Sequence, residues 1–282
     1  MNRYLTILLL LSIQLFALKE DIKVSIKIDN NIVNVKALFK SKMYGPKYID
    51  KLYEKNYIKT KIEPEYITRI IALVSEKIVY DIQTTPNISK NPYIKFQFKD
   101  NKEDETIKFI TIDNKRNQKS KCYKIHQRNT SVKCESTTKH LSLGSKQIKS
   151  KILKANTPEK AIKELYGKTN YIKDKIDIKM PSLSEDLGKV QITIQSAIDL
   201  ESIAVFNNSN PSSTIAIFSV PPDGIINYFL KARMARVCHI NITVVGKDRN
   251  GNIYKTEKEL VWGGGDIQCT GYNTIGGNGG GG

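Results

Sequence analysis

The sequence predicts an all-β chain built as two immunoglobulin-like β-sandwiches in tandem, and three observations carry that prediction. Apolar and polar residues alternate over short runs, as where Ile94, Phe96 and Phe98 are interleaved with Lys95, Gln97 and Lys99. Successive side chains of a strand point to opposite faces, so this period-two pattern marks a half-buried strand. Turn signals punctuate the runs, the strongest being Asn250-Gly251. The same patterning recurs on both sides of a polar, basic stretch without sustained period, residues 137–156. Two sheet-forming units joined by a linker fit a chain of 282 residues.

In chain order, Asn2 and Arg3 precede an apolar run from Tyr4 to Leu18. That run is too short to cross a bilayer comfortably, so residues 1–18 read as a secretory signal peptide, with an uncleaved anchor as the alternative. Either way the remainder is exported, to the periplasm in this reading, and after signal removal it has no membrane attachment. The first domain spans residues 19–136. Val24, Ile26 and Ile28 share one face, and Val35, Ala37 and Phe39 another. Tyr66 to Tyr80 is too rich in β-branched residues for a helix and reads as two strands with a turn near Ser75–Lys77. Ile107 and Phe109 follow, then the turn-like Asp113-Asn114.

The second domain, residues 157–262, opens with a short helix. Thr157 suits the N-cap, Pro158 the first helical position, Glu159 the positive end of the dipole and Gly167 the C-terminal stop. Strands then centre on Ile176/Ile178, Val190/Ile192/Ile194, Ile203/Val205, Ile215/Ile217 and Ile240/Ile242/Val244, with a last strand from Ile253 to Trp262. Residues 263–282 form a C-terminal arm holding ten of the chain's seventeen glycines, among them Gly263, Gly264, Gly265, Gly276 and Gly277. Glycine has the widest backbone freedom, so the arm is expected to be a flexible coil. Its single thiol, Cys269, lies seven residues past Trp262, a reach of roughly 24 Å when extended. A sulfur nucleophile on a tether suits a covalent carrier; an incidental cysteine in a glycine-rich tail is the plainer alternative.

The net charge of +17 comes mostly from dispersed lysine. An exported chain without a nucleic-acid module or aromatic interleaving is not expected to bind nucleic acid. The charge instead implies a solvated surface, or attraction to anionic ligands and acidic partners. Of the four cysteines, Cys122 and Cys134 flank a hairpin loop and could be bridged. With His126 and His140 they also give a spacing that could hold zinc, though it matches no usual finger. Cys238 reads as a small buried residue on an apolar strand, able to pair with Cys269. With three histidines and no paired carboxylates or triad, the chain is not expected to be an enzyme or to hold a cofactor.

Particular strings carry a resemblance. VKALFKSKM (Val35–Met43), EPEYIT (Glu63–Thr68), SKNPYIKFQFK (Ser89–Lys99) and Ile112–Asn114 resemble SoxZ, a subunit of the carrier in periplasmic thiosulfate oxidation. AIKELYG (Ala161–Gly167), IDIKMPSLSEDLGKVQITI (Ile176–Ile194), SIAVFNNSNPSSTIAIF (Ser202–Phe218), KARMARV (Lys231–Val237) and GNIYKTEKELV (Gly251–Val261) resemble its partner SoxY. The resemblance implies a fused SoxZ–SoxY carrier. SoxY-like proteins end in a Gly-Gly-Cys-Gly-Gly arm whose cysteine holds thiosulfate-derived sulfur intermediates as an adduct. Sox-type cytochromes and a sulfate-releasing hydrolase act on that adduct, while the SoxZ-like sandwich serves as scaffold. This sequence departs from the pattern: TIGGNGGGG (Thr274–Gly282) has Asn278 where the cysteine belongs, or Gly265 if Val261–Gly265 is the counterpart. Neither can form a bond through sulfur. Three readings follow: Cys269 has taken over the carrier role, the arm is degenerate and the chain is a docking or scaffold module, or Cys269 is tied up in a disulfide with Cys238 or another cysteine. Nothing beside Cys269 would lower its pKa, and Asp266 would tend to raise it.

Overall fold

The computed structural model describes residues 21–264 except 47–48, 51–53, 56, 58, 61, 103–105, 128–129, 135–149, 168–169, 174 and 223. The proposed signal peptide, most of the linker, and the arm from Gly265 onward, with Cys269, Gly276, Gly277 and Asn278, lie outside the described residues.

The first half contributes β1 (Ile22–Asp29), β2 (Ile32–Phe39), β3 (Ile67–Val74), β4 (Lys77–Thr84), β5 (Tyr93–Lys99), β6 (Thr106–Asp113), β7 (Gln118–Lys124) and β8 (Ser131–Val132). Tyr66 to Tyr80 splits as its β-branched content predicts. The turn between β3 and β4 falls at Ser75 and Glu76, both with positive φ (46° and 62°), the geometry of a tight hairpin turn.

Two helices follow, α1 (Ser150–Lys154) and α2 (Pro158–Tyr166). The first is a correction, since those residues were expected in the linker. Its Ile152 is buried in a cluster with Ala161, Ile162, Phe206 and Val245, and two adjacent apolar residues, Ile152 and Leu153, in a five-residue stretch leave no readable period. The second starts as its sequence requires. The Thr157 hydroxyl accepts from the backbone N–H of Lys160, and Gly167 closes the helix in the left-handed region at φ 69°.

The second half adds β9 (Ile172–Lys173), β10 (Asp177–Lys179), β11 (Leu183–Ser184), β12 (Val190–Gln195), β13 (Leu200–Asn207), β14 (Thr214–Ser219), β15 (Ile225–Ala232), β16 (His239–Asp248) and β17 (Ile253–Trp262).

The two sandwiches share their sheets. One sheet runs β1-β2-β5-β15-β12-β10, and the other runs β11-β17-β16-β13-β14-β4-β3-β6-β7-β8 with β9 added against β17. Each sheet therefore crosses from one half of the chain to the other, at β5–β15 and at β4–β14. Side chains reinforce both crossings. The Thr85 hydroxyl donates to the Thr214 carbonyl at 2.8 Å, and the Ser89 hydroxyl donates to the Gly188 carbonyl at 2.7 Å. On the outer face of the first sheet, amide groups link Asn34, Gln97, Asn227 and Gln195 in a chain across four strands.

The inner faces of both sheets enclose one apolar cluster drawn from both halves. At its centre Tyr80 stacks on Phe96 with centroids 4.3 Å apart, and Phe218 stacks on Tyr228 at 4.7 Å. Fully burying an aromatic side chain contributes about 1.5–3 kcal/mol, so this quartet is a large share of what holds the halves together.

The two halves also repeat a local device. The hairpin from β6 to β7 is closed by Asp113, whose carboxylate accepts from the backbone N–H groups of Lys115 and Asn117 and from the Asn117 side chain. The hairpin from β16 to β17 is closed by Asp248, which accepts from the backbone and side chain of Asn252 and from the Tyr254 hydroxyl.

Candidate functional site

The arm leaves the framework at the end of β17, and the last described residues there are held closely. β11 pairs in parallel with that end, Leu183 opposite Val261 and Ser184 opposite Trp262. The Gly263 N–H donates to the Ser184 carbonyl at 3.0 Å. A Cβ on Gly263 would lie 2.9 Å from a Leu183 methyl, and one on Gly264 would lie 2.7 Å from the Trp262 indole nitrogen. Both are shorter than real Cβ contacts. Gly263 and Gly264, expected for their flexibility, thus serve close approach of the backbone to β11 and Trp262.

Around this exit the Trp262 N–H donates to the Cys238 carbonyl at 3.0 Å. The Arg236 guanidinium lies 5.9 Å from the Trp262 ring centroid, a cation–π contact in which the arginine caps the indole. Cys238 is half-buried in the connection just before β16, where a buried strand position was expected, and it is disulfide-bonded. Arg233 is half-buried and its backbone N–H donates to the Asn87 carbonyl at 2.6 Å, whereas Arg236, the other arginine of the KARMARV string, is exposed.

Cys122 and Cys134 are joined by a disulfide, their Cα atoms 5.2 Å apart. The bond consumes both thiolates that the zinc alternative needed, and among the described residues no group of histidine, cysteine and carboxylate side chains could hold a metal. No helix among the described residues is long and apolar enough to cross a membrane.

A groove of about 800 Å³ beside the arm exit is lined by Leu183, Ser184 and Glu185 together with Lys179, Lys189, Phe229 and Lys231. Lys179 pairs with Asp177 at 3.7 Å and Lys189 with Asp186 at 3.5 Å. Sequence reasoning missed the residues beyond it on β5 and β15. Tyr93 and Phe229 meet edge to face at 5.6 Å beneath Lys95 and Lys231. Lys95 has Tyr93 two residues before it on β5; pairing β5 with β15 adds Phe229 beneath Lys95 and sets Lys231 over Tyr93.

Comparison with known families decides what this framework is. Residues 22–124 match the family described as sulphur oxidation protein SoxZ, and residues 162–265 match sulfur oxidation protein SoxY. The chain is a fused SoxZ–SoxY protein. Its SoxZ half carries β1 to β7 and its SoxY half most of α2 and β9 to β17. No curated protein matches the chain. Among solved structures, the sulfur carrier protein SoxY from Chlorobium limicola f thiosulfatophilum is 27% identical, covering 37% of this chain and 94% of its own, with a TM-score of 0.34. Fibronectin(III)-like modules of Clostridium thermocellum CbhA are 8% identical over 85% of this chain and 94% of theirs, with a TM-score of 0.22. At those scores neither structure adds to the family match.

Proposed function

We propose that this fused SoxZ–SoxY protein is a periplasmic carrier of thiosulfate-derived sulfur intermediates, bonded to Cys269 and presented to Sox-type cytochromes and a sulfate-releasing hydrolase. The observation that carries the reading is where the SoxY match ends. It runs to residue 265, past the last framework strand, and Cys269 is the one cysteine beyond that point. The protein is inert alone; its SoxZ half supports the SoxY half, and the enzymes that visit the arm supply the chemistry. An exposed thiol ionises near ~8.5, which leaves a few per cent thiolate at neutral pH, enough for a carrier activated by its partners.

The disulfide at Cys238 favours a second reading. Cys122 and Cys134 are bonded to each other, and a bond between Cys238 and Cys269, one of the readings the sequence leaves open, would tie up the thiol of the arm. If that bond is permanent, the arm offers no sulfur and the protein is a docking module. If a dithiol reductant opens it, taking up the bond as its own disulfide and leaving two thiols, the bond is a resting cap and the carrier reading stands.

Intact-mass spectrometry of the exported protein separates the two. The carrier reading expects a sulfur adduct after mild reduction and incubation with thiosulfate and an oxidised Sox-type cytochrome, which takes up the two electrons released as the thiol and thiosulfate join, mapped to Cys269 and missing from Cys269→Ser. A chain that keeps its Cys238 disulfide under mild reduction, or takes an adduct only at Cys238, overturns it.

A further inference from the structure

The outer face of the six-stranded sheet carries a row of side chains in register across every strand: Ser25, Lys36, Lys95, Phe229, Thr193 and Lys179. Lys36 and Lys95 are direct cross-strand partners on β2 and β5. Like charges in that relation repel and destabilise a sheet. Lys231 joins them from β15, two residues along the same face from Phe229.

The ammonium groups are placed rather than splayed. Lys95 Nζ stands 4.4 Å from the Phe229 centroid and 5.7 Å from that of Tyr93, and Lys231 Nζ stands 5.3 Å from Tyr93. Two cations thus share one ring, a geometry that fixes long side chains at little further cost in rotamer freedom. Among the described residues no carboxylate pairs with Lys36, Lys95 or Lys231, whereas Lys179 and Lys189 nearby each have one. Partial burial, with Lys36 and Lys231 next in effect, lowers the Lys95 pKa, as expected of a cation without a counter-ion.

Two placed ammonium groups and a third lysine in register beside them, all without acids, supply donors and charge for one multiply charged anion. Lys36, Tyr93 and Lys95 come from the SoxZ half, and Phe229 and Lys231 from the SoxY half, so the cluster exists only where β5 meets β15. We propose that Lys95 and Lys231, seated on Tyr93 and Phe229, form with Lys36, the cross-strand partner of Lys95, a non-covalent site for a doubly charged sulfur oxyanion at the seam of the two halves. The site opens toward the groove that ends at the arm exit, since Phe229 and Lys231 line both. Sulfur as the anion's central atom rests on the carrier reading; the cation cluster does not.

The test uses the full chain as Cys269→Ser, so that adduct chemistry cannot contribute. Sodium thiosulfate and sodium sulfate are titrated at constant ionic strength against sodium chloride, with backbone amide chemical shifts as readout. The site predicts saturable shifts confined to the region of Lys36, Tyr93–Lys95 and Phe229–Lys231. It predicts affinity weakened about tenfold in Lys95→Gln/Lys231→Gln, as expected on losing two charge-assisted donors, and unchanged affinity in Lys119→Gln. Shifts that do not saturate, that chloride reproduces, or that follow every lysine equally overturn the proposal. So does saturable binding of poly-glutamate with no response to either oxyanion, which would make this face a dock for an acidic protein. Absence of a Cys269 adduct leaves this titration untouched, and a failed titration leaves the adduct measurement untouched.

Discussion

The Tyr80 and Tyr228 rings meet edge to face across the seam, with centroids 5.5 Å apart. Tyr80 comes from β4 of the SoxZ half and Tyr228 from β15 of the SoxY half, and each is itself stacked on a phenylalanine of its own half. A shared aromatic centre between shared sheets makes the halves one cooperative unit. Thermal or urea unfolding is therefore expected to show a single transition. Phe218→Ala, which removes a fully buried ring from the quartet, is expected to cost about 3–5 kcal/mol and to move probes in both halves together. Two transitions, with only the SoxY half shifted, would contradict this.

Tyr80 is fully buried, and its hydroxyl has no hydrogen-bond partner. Burial pushes its pKa well up. A buried hydroxyl without a partner costs about 1–3 kcal/mol, so Tyr80→Phe is expected to stabilise the protein and raise the Tm by a few degrees, about 2–4 °C per kcal/mol for a chain of this size. An unchanged or lower Tm shows that the hydroxyl is satisfied.

Arg69 reaches across from β3 and donates to both carboxylate oxygens of Asp81 on β4, at 2.8 and 2.7 Å, with Asp81 almost wholly buried. Removing one partner of such a pair strands the other charge. Asp81→Ala is expected to cost about 3 kcal/mol, while Arg69→Met/Asp81→Leu recovers most of it. Equal losses in both variants, measured by urea unfolding, would show that the site needs the ions themselves.

Asp113 and Asp248 predict acid sensitivity. At each, partial burial raises the pKa, but hydrogen bonds outweigh it, from Asn117 and Lys115 at Asp113 and from Asn252 and Tyr254 at Asp248, and the net shift is downward. A carboxylate with a depressed folded pKa stabilises the fold above its unfolded pKa of about 3.9, and that contribution is lost as pH falls through the folded value. Asp113→Ala and Asp248→Ala are thus expected to lower the Tm clearly at pH 7 and much less near pH 2. Equal losses at both pH values would show that only the turn geometry matters.

Strand identity was legible wherever one face is apolar and the other polar. The β3–β4 pair stands where its β-branched content and the turn after Val74 put it, and β17, from Ile253 to Trp262, follows the Asn250-Gly251 turn as expected. β15 was not legible: Phe229 on its outer face breaks the alternation set by Ile226, Tyr228 and Leu230, and it does so to seat Lys95. β7, written QKSKCYK, carries too few apolar residues for a period to emerge. Cys238 looked like a strand residue because Val237 precedes it and Ile240, Ile242 and Val244 follow, yet it sits in the connection before β16. The lysine cluster was hidden for another reason. Partner choice between β5 and β15 depends on tertiary packing across a long sequence separation, and no local pattern encodes it.

Separate subunits would each leave one edge of two strands open in solution until they met, β4 and β5 in one and β14 and β15 in the other, and such edges invite association with the wrong chain. Tethering changes that arithmetic. Each half is born beside its complement in strict one-to-one supply, at an effective concentration of order millimolar, and dilution cannot pull them apart. A cell making this protein need not balance two expression levels or guard an orphaned half.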